Sequence, residues 1–79
     1  MNGDYDFRIM RVLRRPLNLT LHGLAERSGL TYPTVESIET NENLPSLKTL
    51  DALAGALQLA TSDLIGLAER RLVQRRGST

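Results

Sequence analysis

Cysteine and tryptophan are both absent from this sequence, and aromatic residues make up only 4% of its 79 positions. Without cysteine there are no disulfides and no thiolate metal sites, so a hydrophobic core has to stabilise the fold, with or without a dimer partner. A chain of this length has room for one domain. The 41% of hydrophobic residues are mostly leucine and alanine, which favours a helical bundle. We therefore predict a single all-α domain over 1–79, with its core at about 8–66 and a C-terminal helix extension and polar tail at 67–79.

Long apolar runs are also missing. No run approaches the ~20 residues that a membrane span needs, and the opening residues MNGDYDF lack the character of a signal peptide. The single histidine, His22, has no neighbouring pattern of metal ligands, and no nucleophile–base pair or phosphate-cradling glycine loop is present. We expect a cytoplasmic protein that is not an enzyme and that uses no cofactor, no metal and no membrane.

Positive charge is in small excess and unevenly distributed. The net charge of +1 is low for a nucleic-acid-binding domain. Two groups of four arginines lie near the two ends of the chain: Arg8, Arg11, Arg14 and Arg15 at one end, and Arg70, Arg71, Arg75 and Arg76 at the other. Between 16 and 69 the basic residues are Arg27 and Lys48, against seven acids: Glu26, Glu36, Glu39, Glu42, Asp51, Asp63 and Glu69. A nucleic-acid surface in this middle region would be flanked by positive charge rather than made of it.

The region 20–38 has the pattern of two short helices joined by a tight turn. Thr20 and Thr31 are N-cap candidates, and Gly29 lies where the first helix has to end. The apolar residues recur at helical spacing: Leu21, Leu24, Ala25, Leu30, Val35 and Ile38. The pattern predicts a helix-turn-helix, whose second helix enters the DNA major groove. The exposed face of that helix would consist of Tyr32, Pro33, Thr34, Glu36 and Ser37.

Three further helices are predicted around this unit. An amphipathic first helix begins at Asp4 or Asp6 and ends near Arg14, with Ile9, Val12 and Leu13 sharing a face. Ser46 caps a fourth helix, whose core stripe consists of Leu47, Leu50, Leu53, Ala54 and Leu57. A fifth helix begins near Thr61 or Ser62 and continues to about Arg76.

The combined spacing resembles the Cro/C1 or XRE family of phage-repressor helix-turn-helix domains. The resemblance covers roughly 9–65 and rests on Leu24-Ala25, Gly29-Leu30-Thr31, Thr34-Val35, Ile38-Glu39, Pro45-Ser46-Leu47, Leu53-Ala54 and Leu57. It implies a compact five-helix fold, with Tyr32, Pro33 and Ser37 reading bases and with Thr34 and Glu36 close by. Glu36 either accepts a hydrogen bond from cytosine or is simply a solvated acid.

The resemblance also implies positions for contacts and for an ion pair. Arg14 would pair with Glu39, the alternative being that Arg14 is solvated or faces a phosphate. The set of phosphate-contacting residues would be Arg11, Arg15, Thr20, His22, Thr31, Asn41, Asn43 and Lys48, with His22 as a plain surface residue in the alternative. Leu21 departs from the family, which usually has a phosphate-contacting glutamine there. Asn41 stands where relatives have glycine, so we expect a left-handed residue.

Apolar residues continue past the expected core of the fifth helix, at Leu67, Ala68, Leu72 and Val73. This predicts an interface with a second copy of the chain. The leading hypothesis is a homodimeric repressor that binds a palindromic operator in double-stranded DNA. The alternatives are a protein-interaction or antitoxin-like module with a protein partner, or the DNA-binding part of a larger ligand-sensing regulator.

Overall fold

The computed structural model describes residues 5–77, with side chains described up to residue 69. The elements in chain order are α1 (Ile9–Arg14), α2 (Leu21–Ser28), α3 (Tyr32–Glu39), α4 (Leu47–Ala56) and α5 (Thr61–Gly77). A 3-10 turn over Arg15–Leu17 follows α1. The prediction of a five-helix, all-α fold is confirmed for this part of the chain.

Local side-chain contacts explain where the helices begin and end. Thr20 Oγ1 accepts a hydrogen bond from the Gly23 N–H at 3.0 Å, and Ser46 Oγ accepts one from the Thr49 N–H at 3.2 Å, so both residues cap their helices as predicted. Gly29 ends α2 with φ +74°, a left-handed conformation in which glycine carries no steric penalty. The turn between α2 and α3 is therefore specified locally.

One core joins all five helices. α2 packs on α3 and α4, and α5 packs on α4 and α1. The buried hydrophobic residues are Phe7, Met10, Leu24, Ala25, Val35, Ile38, Leu50, Leu53, Ala54, Ala56, Leu57, Leu64 and Ala68. The predicted stripe of α4 is buried apart from Leu47, which is 72% exposed. Leu47 is the first residue of its helix, ahead of the turn that packs on the core.

The first helix is shorter than predicted, and of its predicted apolar face Ile9 and Leu13 pack against the core whereas Val12 does not. It begins at Ile9 rather than at Asp4 or Asp6, because the Asp6 carboxylate accepts a hydrogen bond from the Arg8 N–H and forms a turn ahead of the helix. Val12 is 43% exposed, so it does not share the buried face. Phe7 and Met10 are buried instead.

The core extends beyond 8–66 at both ends. Asp6, Phe7 and Ala68 have at most 1% of their surface exposed. The Asp6 N–H donates to the Ala68 carbonyl at 3.1 Å, which joins the N-terminal segment to α5. In the described part of the chain, no single helix is long and apolar enough to span a membrane. Taken as a pair, the segments Leu47–Ala56 and Thr61–Glu69 have the length and composition of a membrane span, but the chain bends by 98° between them.

Candidate nucleic-acid interface

The helix α3 has one buried face and one exposed face. Val35 and Ile38 are buried, and they face the core into which α2 also packs. Pro33, Thr34 and Glu36 are exposed on the other side. Because the buried and the exposed residues each recur at helical spacing, the packing that holds α3 against the core also directs its polar side chains outward.

The C-terminal end of α3 is attached to α1 by an ion pair. Arg14 Nη2 lies 2.6 Å from Glu39 Oε1, and Arg14 Nε lies 3.0 Å from Glu39 Oε2, a bidentate arrangement. Arg14 Nη1 also donates to the Leu19 carbonyl at 3.0 Å. Glu39 is only 3% exposed, and the Arg14 guanidinium compensates its charge inside the protein. The structure thus contains the Arg14–Glu39 pair that the family resemblance implies.

Asn41 is used inside the domain rather than at a phosphate, which corrects the expectation from sequence. Its φ of +64° is left-handed, as expected. Its side-chain oxygen accepts from the Phe7 N–H at 2.9 Å, and its amide nitrogen donates to Asp6 Oδ1 at 2.9 Å. Both ends of the amide are directed at the N-terminal segment, so the side chain acts as a structural bridge.

The Asp6 carboxylate at the other end of this bridge is fully buried. Burial by itself raises the pKa of Asp6, but hydrogen bonds from the Arg8 and Asn41 side chains outweigh burial, and the pKa lies below its ordinary value. The carboxylate is therefore ionised in the folded protein at neutral pH.

The exposed half of α3 carries small hydrogen-bonding groups. The Thr31 and Thr34 hydroxyls lie 2.8 Å apart, so Thr31 pairs with a side chain instead of capping a backbone N–H. Ser37 is half-buried and its hydroxyl donates to the Thr34 carbonyl at 2.9 Å. A hydroxyl that donates in this way still has acceptor capacity, which a base edge can use.

Tyr32, at the start of α3, contacts the histidine at the start of α2. The centroids of the Tyr32 and His22 rings lie 4.1 Å apart, with 31° between their planes. His22 is exposed and Tyr32 is half-buried. The sequence-predicted base-reading and phosphate-contacting sets therefore meet at one point of the surface.

The remaining phosphate candidates are all exposed. They are Arg11, Arg15, Thr20, Thr31, Asn43 and Lys48. Arg11 is 61% exposed, and its Nε lies 3.6 Å from Glu39 Oε1, so its guanidinium remains open to solvent beside a neutralised acid. Lys48 lies beside Asp51 on a shallow depression that Leu47 and Thr61 also line. A neighbouring acid weakens the attraction of Lys48 for phosphate.

The loop after α3 folds back on the helix. The N–H groups of Glu42 and Asn43 both donate to the Ser37 carbonyl, at 2.8 and 3.2 Å. Thr40 Oγ1 lies 3.3 Å from Glu42 Oε1. The exposed carboxylates of Glu36 and Glu42 give this side of the domain a local negative charge, which opposes the approach of phosphate.

The comparison with known families agrees with this geometry. A helix-turn-helix family model matches residues 10–64, which is more than half of the chain. The chain belongs to the Cro/C1-type helix-turn-helix family. The members of this XRE family are DNA-binding regulators.

A relative of this domain is known from a bacteriophage. The immunity repressor protein of Bacillus phage phi105 is 37% identical to the chain over 57 residues, which cover 72% of the chain. The chain spans 40% of the length of that repressor. The likeness therefore concerns the helix-turn-helix domain.

One residue of the predicted dimer interface of this helix-turn-helix domain is part of the core. Ala68 has no exposed surface, and its carbonyl accepts the Asp6 N–H, so it is not available to a second copy. Leu67 is half-buried. Leu72 and Val73 lie outside the residues whose side chains are described. The dimer itself stays a prediction.

Sequence reasoning missed the buried role of Asp6 and the exposure of two leucines. Asp6 looks like a helix N-cap in the sequence, and its partner Asn41 is 35 positions away, so no local pattern indicates the contact. Leu44 and Leu47 are 57% and 72% exposed at the end of the loop and the start of α4. The N-cap at Ser46 was the available signal for Leu47, because it makes Leu47 the first residue of α4, ahead of the turn that packs on the core.

Proposed function

We propose that this helix-turn-helix domain is a sequence-specific transcriptional regulator, and that it acts as a homodimeric repressor on a palindromic operator. The observation that carries the proposal is the pair of faces on α3. Its buried face and its C-terminal end are held by the core and by the Arg14–Glu39 pair. Its N-terminal half presents Pro33 and Thr34 to solvent, at the positions from which such a helix reads base edges.

The mode of reading follows from the side chains that are available. Thr34 and Ser37 hydroxyls can donate to or accept from either base pair, and the Thr34 methyl or the Pro33 ring can pack on a thymine methyl. The exposed half of α3 carries none of the glutamine, asparagine or arginine side chains that make bidentate base contacts. We propose that part of the sequence preference comes from DNA shape.

Affinity for the phosphates depends on few charges. Arg11, Arg15 and Lys48 are the exposed basic candidates, and the free N–H groups at the start of α2 add a partial positive charge. The logarithm of affinity falls with the logarithm of salt concentration by about 0.9 for each neutralised phosphate. We expect a shallow slope, and a slope that corresponds to ~8 or more contacts would contradict this account of the charges.

The test is selection of bound duplexes from a random DNA pool at near-physiological salt. The wild type, the Tyr32→Ala/Ser37→Ala double variant and a Ser62→Ala control are compared; Ser62 is an exposed residue of α5, which packs on α1 and α4. We expect a palindrome that the wild type and the control enrich and the double variant loses. If the folded wild type enriches nothing, the proposal fails.

A protein-interaction module is the second candidate, and the exposed leucines favour it. Leu44 and Leu47 are the most exposed large hydrophobic residues among the side chains described, and neighbouring exposed apolar groups mark contact surfaces when they are contiguous. Replacing both with serine should leave DNA selection unchanged. The second candidate is preferred if two results occur together. The wild type enriches no duplex from the random pool, and the serine variant loses a complex that the wild type forms with a co-purifying protein from the native host.

A further inference from the structure

We propose that His22 is a positioning residue for DNA reading: its imidazole holds the Tyr32 ring at the start of α3 and thereby sets the base preference that Tyr32 contributes. The inference rests on the proposed function and adds a residue of α2 to the specificity of α3. His22 would otherwise be only a phosphate contact or a plain surface residue.

The geometry of the two rings carries the argument. Their centroids are 4.1 Å apart with a tilt of 31°, closer than the 5.8 Å between Tyr5 and Phe7. Tyr5 and Phe7 belong to the core region, where packing explains their contact. His22 is exposed, so burial does not account for the contact between His22 and Tyr32. Offset or tilted contact between the rings is itself favourable.

The backbone fixes where each ring begins. His22 lies in the first turn of α2, which the hydrogen bond between Thr20 Oγ1 and the Gly23 N–H closes. A Cβ atom at Gly23 would lie 3.3 Å from Thr20 Oγ1 and 3.4 Å from Leu19 Cδ2, so the turn is packed closely there. Tyr32 directly follows the N-cap of α3, and Pro33 restricts the backbone next to it. Both Cβ atoms are thus held on rigid parts of the helix-turn-helix.

A tyrosine at the start of a surface helix has several side-chain rotamers, and binding to DNA would have to select one of them. Contact with His22 selects a rotamer before DNA arrives and presents the Tyr32 hydroxyl in one place. Preorganisation of this kind raises affinity by lowering the cost of ordering the side chain. It also raises specificity, because a hydroxyl in a fixed position fits one base-pair edge better than the others.

The experiment is a double-variant cycle on the duplex that the wild type selects from a random pool, together with single base-pair replacements in that duplex. His22→Ala, Tyr32→Ala and the double variant measure the coupling. His22→Phe keeps a ring but has no N–H donor, whereas His22→Gln keeps a donor but has no ring. The Ser62→Ala variant is the matched control, and circular dichroism verifies folding.

If the proposal is right, His22→Ala weakens binding about twofold to tenfold, the range that an aromatic contact supplies. His22→Ala and Tyr32→Ala lose preference at the same base pairs, and their effects are not additive. His22→Phe stays close to wild type, and the salt slope is unchanged in His22→Ala.

Two results would overturn the inference. His22 is instead a phosphate contact if three results occur together: His22→Gln binds like wild type, His22→Phe binds more weakly, and the salt slope of His22→Ala is smaller by about one contact. If all three His22 variants keep the affinity and base preference of the wild type, His22 is a plain surface residue. In both cases the proposed function stands. If the wild type selects no duplex, the proposed function fails and this inference fails with it.

Discussion

The two ends of α3 differ in how they are held. At the C-terminal end, Glu39 is buried against Arg14, and the loop residue Asn41 is bonded to the N-terminal segment. At the N-terminal end, Thr34 is exposed and Tyr32 contacts the exposed His22. The contacts at the first end bridge 25 to 35 positions of sequence, whereas those at the second end lie within the helix-turn-helix.

This difference separates stability from recognition. Buried ion pairs and buried hydrogen bonds are expensive to break, so changes at the C-terminal end should mainly alter the free energy of unfolding. Exposed side chains contribute little to that free energy, so changes at the N-terminal end should mainly alter DNA affinity.

Arg14→Ala should have the largest effect, a loss of about 3 kcal/mol in the free energy of unfolding, because the buried Glu39 carboxylate loses its bidentate partner and keeps only the longer contact with the exposed Arg11. The loss is measured by urea denaturation monitored by circular dichroism. Arg15→Ala is the matched control, since Arg15 is exposed, and it should change the stability by less than about 0.5 kcal/mol. Equal losses in the two variants would show that the Arg14–Glu39 pair does not anchor α3.

Asn41→Gly should cost about 1–3 kcal/mol, because the Phe7 N–H and the buried Asp6 carboxylate each lose a partner. Glycine keeps the left-handed backbone without strain, but it also makes the unfolded chain more flexible, so the loss is compared with that of a second left-handed asparagine. The control is Asn18→Gly, at an exposed left-handed residue with φ +55°. Urea midpoints should separate the two variants, and an equally small change in both would remove the bridging role of Asn41.

Acid should weaken the same end of the domain. The pKa of Asp6 is lower in the folded protein than its ordinary value, so the ionised carboxylate stabilises the fold at neutral pH and this contribution disappears as the pH falls below about 4. In urea titrations at pH 6 and at successively lower pH, the wild type should lose more stability than Asp6→Asn. Parallel curves would mean that Asp6 adds no pH dependence.

Glu36→Gln should have the smallest effect on stability, within about 0.5 kcal/mol, since the side chain is exposed. If α3 binds DNA as proposed, affinity for the selected duplex should rise about twofold, because the change removes an exposed negative charge from the proposed DNA-binding side, and the gain should shrink in high salt. Titrations at two salt concentrations measure this. A fall in affinity confined to duplexes with a particular cytosine would show instead that Glu36 accepts a hydrogen bond from that base.

Local sequence patterns predicted the helix-turn-helix, but such patterns do not indicate contacts between residues that are far apart in the sequence. The caps at Thr20 and Ser46 and the turn at Gly29 are local signals, and the structure contains all three. The Arg14–Glu39 pair followed from the family resemblance rather than from spacing. The bridge between Asn41 and Asp6 was missed, because nothing in the sequence indicates which loop meets the N-terminal segment.

Of the five residues predicted to form the exposed face of α3, three are exposed, whereas Tyr32 and Ser37 are half-buried. The exposure of Pro33, Thr34 and Glu36 follows from helical periodicity. The contact between His22 and Tyr32 depends on the angle between α2 and α3, which periodicity does not give. Leu47 fits the stripe of α4 by spacing, yet it lies before the first packed turn and is exposed.

The most direct test of the account is an NMR titration of the isotope-labelled protein with the duplex selected from the random pool. The largest changes in amide chemical shift should fall on the start of α2, on the N-terminal half of α3 and on the loop after α3. Amides near Leu53 and Leu64, in the buried parts of α4 and α5, should change little. Changes centred on Leu44, Leu47 and α5, with α3 unaffected, would contradict the assignment of α3 as the reading helix.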